Sequence, residues 1–347
     1  MILEQIREDK INFFKMNEDL MRRSSMKRKS KVWVWTGSAV VLLGFGALIA
    51  ASLYLFDMAI ARDTDTFELY AGEEYNHVDE EVETMMELIE KGEAWLSQQE
   101  VEILEQVTDD GLTLYGRYIK NEQETDKLAL LLHGYRGVSD QMGLAGALYA
   151  EQGFDLFIPD ARAHGKSEGN FIGFGWPDRL DQINWLEKLI IEKGINQIVL
   201  HGESMGAATA LMTAGEDKLP QQVKAVVADS PYTSVEDELS HQLENLFNVP
   251  SFPFIQLGSI ITQIQAGYSF EEASALKQVK RNTPPLFLIH GDQDDLVPTY
   301  MSEELYAQAT GETKLWIVSG ADHVAAKFEK PEEYKEHVLR FVHQYLD

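Results

Sequence analysis

LHGESMGAAT, residues 200–209, sets Ser204 between two glycines, where an apolar run meets an alanine-rich one. Upstream, QIVLHG (197–202) has the short, nearly continuous apolar character of a buried strand. Downstream, ATALMTAGE (208–216) reads as a helix. Gly-x-Ser-x-Gly spacing alone is a weak signal, but a sharp strand–turn–helix context makes Ser204 a candidate nucleophile. In such an elbow the serine sits in a strained backbone turn with its hydroxyl exposed, and Gly202 and Gly206 leave room for neighbouring backbone. The helix that follows points its positive end at the hydroxyl, where negative charge develops.

The same rhythm extends on both sides. LALLLHG (128–134), FDLFIPD (154–160), VKAVVADS (223–230), PLFLIHG (285–291) and KLWIVSG (314–320) read as buried strands, and GLTLYGRYIK (111–120) alternates like a half-exposed one. Segments of helical period lie between most of them, such as PDRLDQINWLEKLIIEKG (177–194) with its stop at Gly194. Near-continuous apolar strands separated by helices predict an α/β fold, a mostly parallel sheet with helices on both faces. The long apolar stretch 232–270, broken at Pro250 and Pro253, predicts a helical cap over the carboxyl edge of that sheet.

A serine hydroxyl needs a base to become a nucleophile at neutral pH. Of nine histidines, His323 lies in a Gly-Ala-Asp-His loop after the last strand, where the chain order Ser…Asp…His requires it. His164, in the loop DARAHGKSEG, is the second candidate; His133, His201 and His290 each close a strand before glycine, which suits packing and hydrogen bonding. The base needs an acid to orient it. HGDQDDLVP offers Asp292, Asp294 and Asp295, and Asp229 ends the preceding strand. For the oxyanion hole the residue after the nucleophile supplies the Met205 N–H, and the loop after LALLLHG supplies the Tyr135 N–H. This chemistry needs no metal and no cofactor.

Composition restricts the setting. The chain has 347 residues, a net charge of −27 and no cysteine, which removes disulfides and Cys-ligated metals. Residues 1–31 hold nine Lys/Arg against five Asp/Glu, whereas the remainder holds 21 against 52. So acidic a remainder repels nucleic acid, and a nucleic-acid role is excluded. Between the two lies WVWTGSAVVLLGFGALIAASLYLF (33–56), uncharged and long enough to span a bilayer. RRSSMKRKSK (22–31) holds six Lys/Arg, and 57–74 only Arg62, so the positive-inside rule places the N-terminus in the cytoplasm. Ala59-Ile60-Ala61 resembles a signal-peptidase site, but the apolar run is too long for a signal peptide's core. The organisation read from this is a cytoplasmic basic segment (1–31), a transmembrane signal anchor (32–56), an acidic, partly helical stem (57–105) and the catalytic domain (106–347).

HGYRG, PDARAHGKSEG, GESMG, HGDQDDLVP and GADH, in that order, resemble the α/β-hydrolase superfamily from about Gln106 onward. Within it the chain is similar to bacterial membrane-anchored hydrolases described as prolyl-oligopeptidase-like or serine-aminopeptidase-like. The resemblance implies the α/β-hydrolase fold and selects Asp294 as the acid, from the pattern Gly-x-x-Asp-x-x-Val-Pro ending at Pro298. It also implies ester or amide hydrolysis through an acyl-enzyme. The Leu-, Ile- and Phe-containing cap favours a small-molecule ester or acyl substrate; a peptidase, an amidase or an envelope acyltransferase would use the same triad. A non-catalytic envelope scaffold is disfavoured because every triad residue type is present. No protein partner is indicated.

Overall fold

A computed structural model describes residues 1–62, 80–281 and 283–346; His77 and residues 63–79 of the stem lie outside the described residues. The chain forms two compact units, Met1–Tyr54 and Leu55–Asp347. The first is the larger part of helix α1 (Ile2–Ile60). Within α1, the 21 residues Val40–Ile60 are apolar and long enough to cross a membrane. The helix thus continues past Phe56, where the uncharged run ends. Asp57 interrupts that run, but Phe56 and Ile60 are buried in the core of the second unit, which sustains the last turn.

Among the described residues the remaining α-helices are α2 (Glu80–Ser97), α3 (Gly143–Ala150), α4 (Asp178–Lys193), α5 (Met205–Ala214), α6 (Val235–Phe247), α7 (Ser251–Gln265), α8 (Ala275–Val279), α9 (Tyr300–Gln308), α10 (Ala326–Glu329) and α11 (Pro331–Tyr345). The strands are β1 (Glu102–Val107), β2 (Thr113–Ile119), β3 (Lys127–Leu132), β4 (Asp155–Pro159), β5 (Gln197–Glu203), β6 (Val223–Asp229), β7 (Leu286–Gly291) and β8 (Thr313–Val318). They make one sheet in the order β1-β2-β4-β3-β5-β6-β7-β8. From β4 to β8 neighbours run parallel; β1 and β2 join antiparallel at one edge.

The run LALLL shows why the sheet is covered twice. Successive side chains of a strand point to opposite faces. Leu128, Leu130 and Leu132 enter one core with Trp185 and Leu186 of α4 and Leu211 of α5, while Ala129 and Leu131 enter the other with Tyr149 of α3 and Phe341 of α11. Gly194 ends α4 in the left-handed conformation (φ 74°), its N–H donating to Ile190 O. This is the α/β-hydrolase fold.

The boundary read at 105/106 falls inside a strand. β1 begins in the segment read as stem, because EILEQV buries only Leu104 and so carries none of the continuous apolar signal of an inner strand. The helix expected in that segment is α2, and its Leu96, 2% exposed, joins the core on the sheet's second face. The 232–270 stretch carries α6 and α7. It is tied down at both ends by tyrosines: Tyr232 Oη donates to Phe174 O at 2.8 Å and Tyr268 Oη to Ile172 O at 2.7 Å.

Candidate active site

Parallel strands bring the site to one edge. Leu132 of β3 lies opposite Gly202 of β5, and Glu203 opposite Asp229 of β6, so Ser204 is the first residue beyond the central strand. Its backbone is at φ 54°, ψ −116°, and α5 begins at the next residue. The glycine spacing has a steric cause. A Cβ on Gly206 would stand 2.0 Å from Leu132 O, and one on Gly202 would stand 2.1 Å from Gly206 O. Only hydrogen at both positions lets β3, β5 and α5 converge beneath the serine.

Ser204 Oγ lies 2.9 Å from His323 Nε2, and His323 Nδ1 lies 2.8 Å from Asp294 Oδ2. Asp294 Oδ1 also accepts the N–H groups of Leu296 and Val297, at 3.1 and 2.8 Å. Burial pushes the Asp294 carboxyl up, but hydrogen bonds from His290, His323 and Val297 outweigh it and hold the group well below the usual carboxylate range. An ionised Asp294 accepts only, so His323 Nδ1 carries the proton and Nε2 is left to accept from the Ser204 hydroxyl. The other aspartates are employed elsewhere. Asp292 Oδ1 accepts the Gly320 N–H at 2.7 Å, and Asp295 offers its carbonyl to His241. Asp229 accepts hydrogen bonds from Tyr334 and Ser230, and burial lifts its carboxyl to about 6.

His164, the second base candidate, is occupied. Its Nδ1 donates to Arg162 O at 2.7 Å and its Nε2 accepts the Arg136 N–H at 3.0 Å. Burial, reinforced by His133, lowers it to about 3, so the ring is neutral. His133 is bonded in the same sense, donating from Nδ1 to Gly134 O and accepting the Ala161 N–H at Nε2. The pair braces the loop His133–Gly137, which packs against the serine: a Cβ on Gly134 would stand 3.5 Å from Ser204 Cβ. Tyr135 belongs to this loop. Met205 is the first residue of α5, where N–H groups have no acceptor within the helix.

Further residues support this cluster that the sequence did not place in it. His290 Nε2 stands 3.1 Å from Asp294 Oδ2 and 2.7 Å from Val297 O. Both are acceptors, so Nε2 carries the proton, and Nδ1 accepts from the Ser302 hydroxyl at 2.6 Å. Ser230 Oγ accepts the N–H of Val324, the residue after the candidate base, at 3.1 Å. Lys327 Nζ lies 2.6 Å from Glu203 Oε2, joining the elbow to the histidine loop. Spacing could have flagged His290, four residues before Asp294; Ser230 and Lys327 become visible only in three dimensions. Among the described residues no three His, Asp or Glu side chains are grouped to hold a metal ion.

The model of the prolyl oligopeptidase family matches residues 146–347. An uncharacterized protein of Bacillus subtilis, YqkD, is 28% identical over 197 residues, which are 56% of this chain and 64% of that relative. The lysophosphatidylserine lipase ABHD12 of rat is 25% identical over 187 residues, 52% of this chain and 44% of that protein. This chain therefore spans less than two thirds of either relative. Among solved structures, the Pyrococcus furiosus esterase Pf2001 superposes with a TM-score of 0.59 at 26% identity, covering 72% of this chain and 94% of the esterase.

Proposed function

The chain belongs to the prolyl oligopeptidase family, a family of α/β-fold serine hydrolases, and from that premise we propose that it is a membrane-anchored carboxylic-ester hydrolase with Ser204, His323 and Asp294 as its triad. The observation that carries the reading is the unbroken line from Ser204 Oγ through both nitrogens of His323 to Asp294 Oδ2, at 2.9 and 2.8 Å. Ser204 Oγ attacks the acyl carbonyl while His323 Nε2 takes its proton. The carbonyl oxygen becomes an alkoxide held by the Met205 and Tyr135 N–H groups. His323 returns the proton to the leaving alcohol, and Asp294 holds the imidazolium in place meanwhile. Water, activated by the same histidine, then releases the acid from the acyl-enzyme. The apolar part of α1 that precedes Phe56 is the anchor, and the cationic segment before it faces the cytoplasm, so the catalytic domain is extracytoplasmic.

An ester is favoured because Pf2001 is an esterase and ABHD12 a lysophosphatidylserine lipase by name. The family description favours a second reading, a peptidase or amidase on the same triad. Nitrophenyl esters against aminoacyl nitroanilides separate the two. Labelling of intact cells with a membrane-impermeant fluorophosphonate, beside Ser204→Ala, tests nucleophile and topology together. Full esterase activity in Ser204→Ala removes the assignment; labelling only after lysis removes the outward topology.

A further inference from the structure

The last turn of α1 does not end in solvent. Tyr135 Oη donates to Ala59 O at 2.8 Å, and the Arg136 guanidinium donates to Met58 O at 2.6 Å. The Ile172 N–H donates to Ile60 O at 2.7 Å, and the Arg62 N–H to Asn170 O at 2.8 Å. The Arg62 guanidinium reaches further, to Ser167 O at 2.6 Å and Gly165 O at 2.8 Å. Ile60 is fully buried, and Phe56 packs against Phe171 with ring centroids 5.6 Å apart. A helix C-terminus leaves its last carbonyls without partners inside the helix. Here the Met58 and Ala59 carbonyls are taken by the loop that carries Tyr135 and the Ile60 carbonyl by Ile172, while Arg62 holds the loop that carries His164. The two loops are themselves joined, because His164 Nε2 accepts the Arg136 N–H.

We propose that Met58–Arg62, the exit of the apolar helix, is a positioning element of the active site: it fixes the loop whose Tyr135 N–H stabilises the oxyanion. This rests on the assignment of the Tyr135 N–H to the oxyanion hole. A donor works only where the developing charge will be, so a loop displaced by a fraction of an ångström loses turnover before it loses substrate binding. The same residues contain the Ala59-Ile60-Ala61 signature. Cleavage there would detach Met58 and Ala59, whose carbonyls hold Tyr135 and Arg136. The active enzyme therefore keeps Met58 and Ala59, and with them the helix that precedes them.

The test uses the full chain in phospholipid nanodiscs, with active sites counted by fluorophosphonate and a nitrophenyl ester as substrate. Tyr135→Phe removes only the hydroxyl that bonds Ala59 O; Arg62→Gln releases the His164 loop; Arg62→Lys is the conservative control. The expected result is a kcat about tenfold lower per titrated site in Tyr135→Phe and in Arg62→Gln, with KM within about twofold and partial recovery in Arg62→Lys. Wild-type kcat per site in Tyr135→Phe and Arg62→Gln overturns the proposal, even if either variant melts earlier, because that pattern is stability alone. Retained activity in Ser204→Ala would instead remove the catalytic reading beneath it, and the two failures are distinct.

Discussion

His290 and His323 share one carboxylate oxygen: Nε2 of the first lies 3.1 Å, and Nδ1 of the second 2.8 Å, from Oδ2 of Asp294. His290 is fully buried and His323 is not, so the first is a fixed donor and the second can cycle its proton. With His290 replaced by Leu, Asp294 loses a donor and its ionised form is less favoured. We expect kcat to fall about tenfold with little change in KM, as for a group that acts through its neighbour. The titration of the carboxyl itself is the sharper check. Asp294 is depressed by these bonds, so removing one raises it, a rise read by carbon NMR of an isotopically labelled carboxyl. His290→Gln, which can restore an N–H near the same place, should recover part of the loss. A carboxyl that titrates where it does in wild type would mean that His290 only fills space.

Glu203 and Lys327 form a cross-tie between the elbow and the loop that presents His323. Their side chains are each 13% exposed, so the pair is only partly screened. Replacing either residue by an uncharged one of similar length, Glu203→Gln or Lys327→Met, should lower kcat modestly and to a similar extent. The double variant should lose little more than either single one, since the pair acts as a unit. The expected coupling is about 1 kcal/mol, measured by a double-mutant cycle on kcat/KM. Additive losses would show that the two side chains act independently.

What sequence could disclose follows from where the information sits. GESMG is legible because its glycines answer a backbone collision, local in sequence, with Gly206 under Leu132 O. The inner strands are legible because both faces are covered, so alternation vanishes and LALLL becomes a solid apolar run. β1 escapes for the converse reason: as an edge strand it buries Leu104 and exposes its glutamates, which makes it resemble the acidic stem around it. The grouping of Ser204, Asp294 and His323 could be expected because each follows the end of a strand in one parallel sheet. Ser230, Lys327 and the last turn of α1 gave no such cue. Their contacts join segments far apart in the chain, and nothing in their own neighbourhoods indicates the partner.

Glu238 on α6 gives the protein a pH-dependent stability that can be read directly. Burial, opposed by a bond from Gln242 and reinforced by the nearby Asp294 and Asp237 carboxylates, lifts its carboxyl to about 8. The folded chain therefore holds a proton that the unfolded chain releases above its ordinary value of 4.5. Stability from this group is complete below that value and is lost as pH rises toward about 8. Glu238→Gln keeps the shape and the acceptor for Gln242 but has no proton to lose. The variant should gain melting temperature over wild type progressively between pH of about 5 and 8, with the difference smallest at the acid end. Thermal scans at several pH values decide it; a constant offset would mean that Glu238 is ionised in the folded chain.

Ser204, the proposed nucleophile, is held in a strained backbone conformation. At φ 54° and ψ −116° a side chain is strained, whereas glycine occupies the mirror of an ordinary extended conformation at no such cost. Residues held in such conformations cost about 1–3 kcal/mol. Against this, Ser204→Gly forfeits the bond from Oγ to His323 Nε2, which contributes about 1 kcal/mol. Helix α5 (Met205–Ala214) and Gly202 are untouched, so no new collision offsets the relief. Ser204→Gly should therefore be inert toward esters and fluorophosphonates yet melt no earlier than wild type, and up to a few degrees later. Ser204→Ala keeps the strained Cβ and loses the same bond, so it should melt earlier than Ser204→Gly. If the alanine variant proves the more stable of the two, the elbow is not strained, and the glycines at 202 and 206 are required only by the collisions their side chains would make.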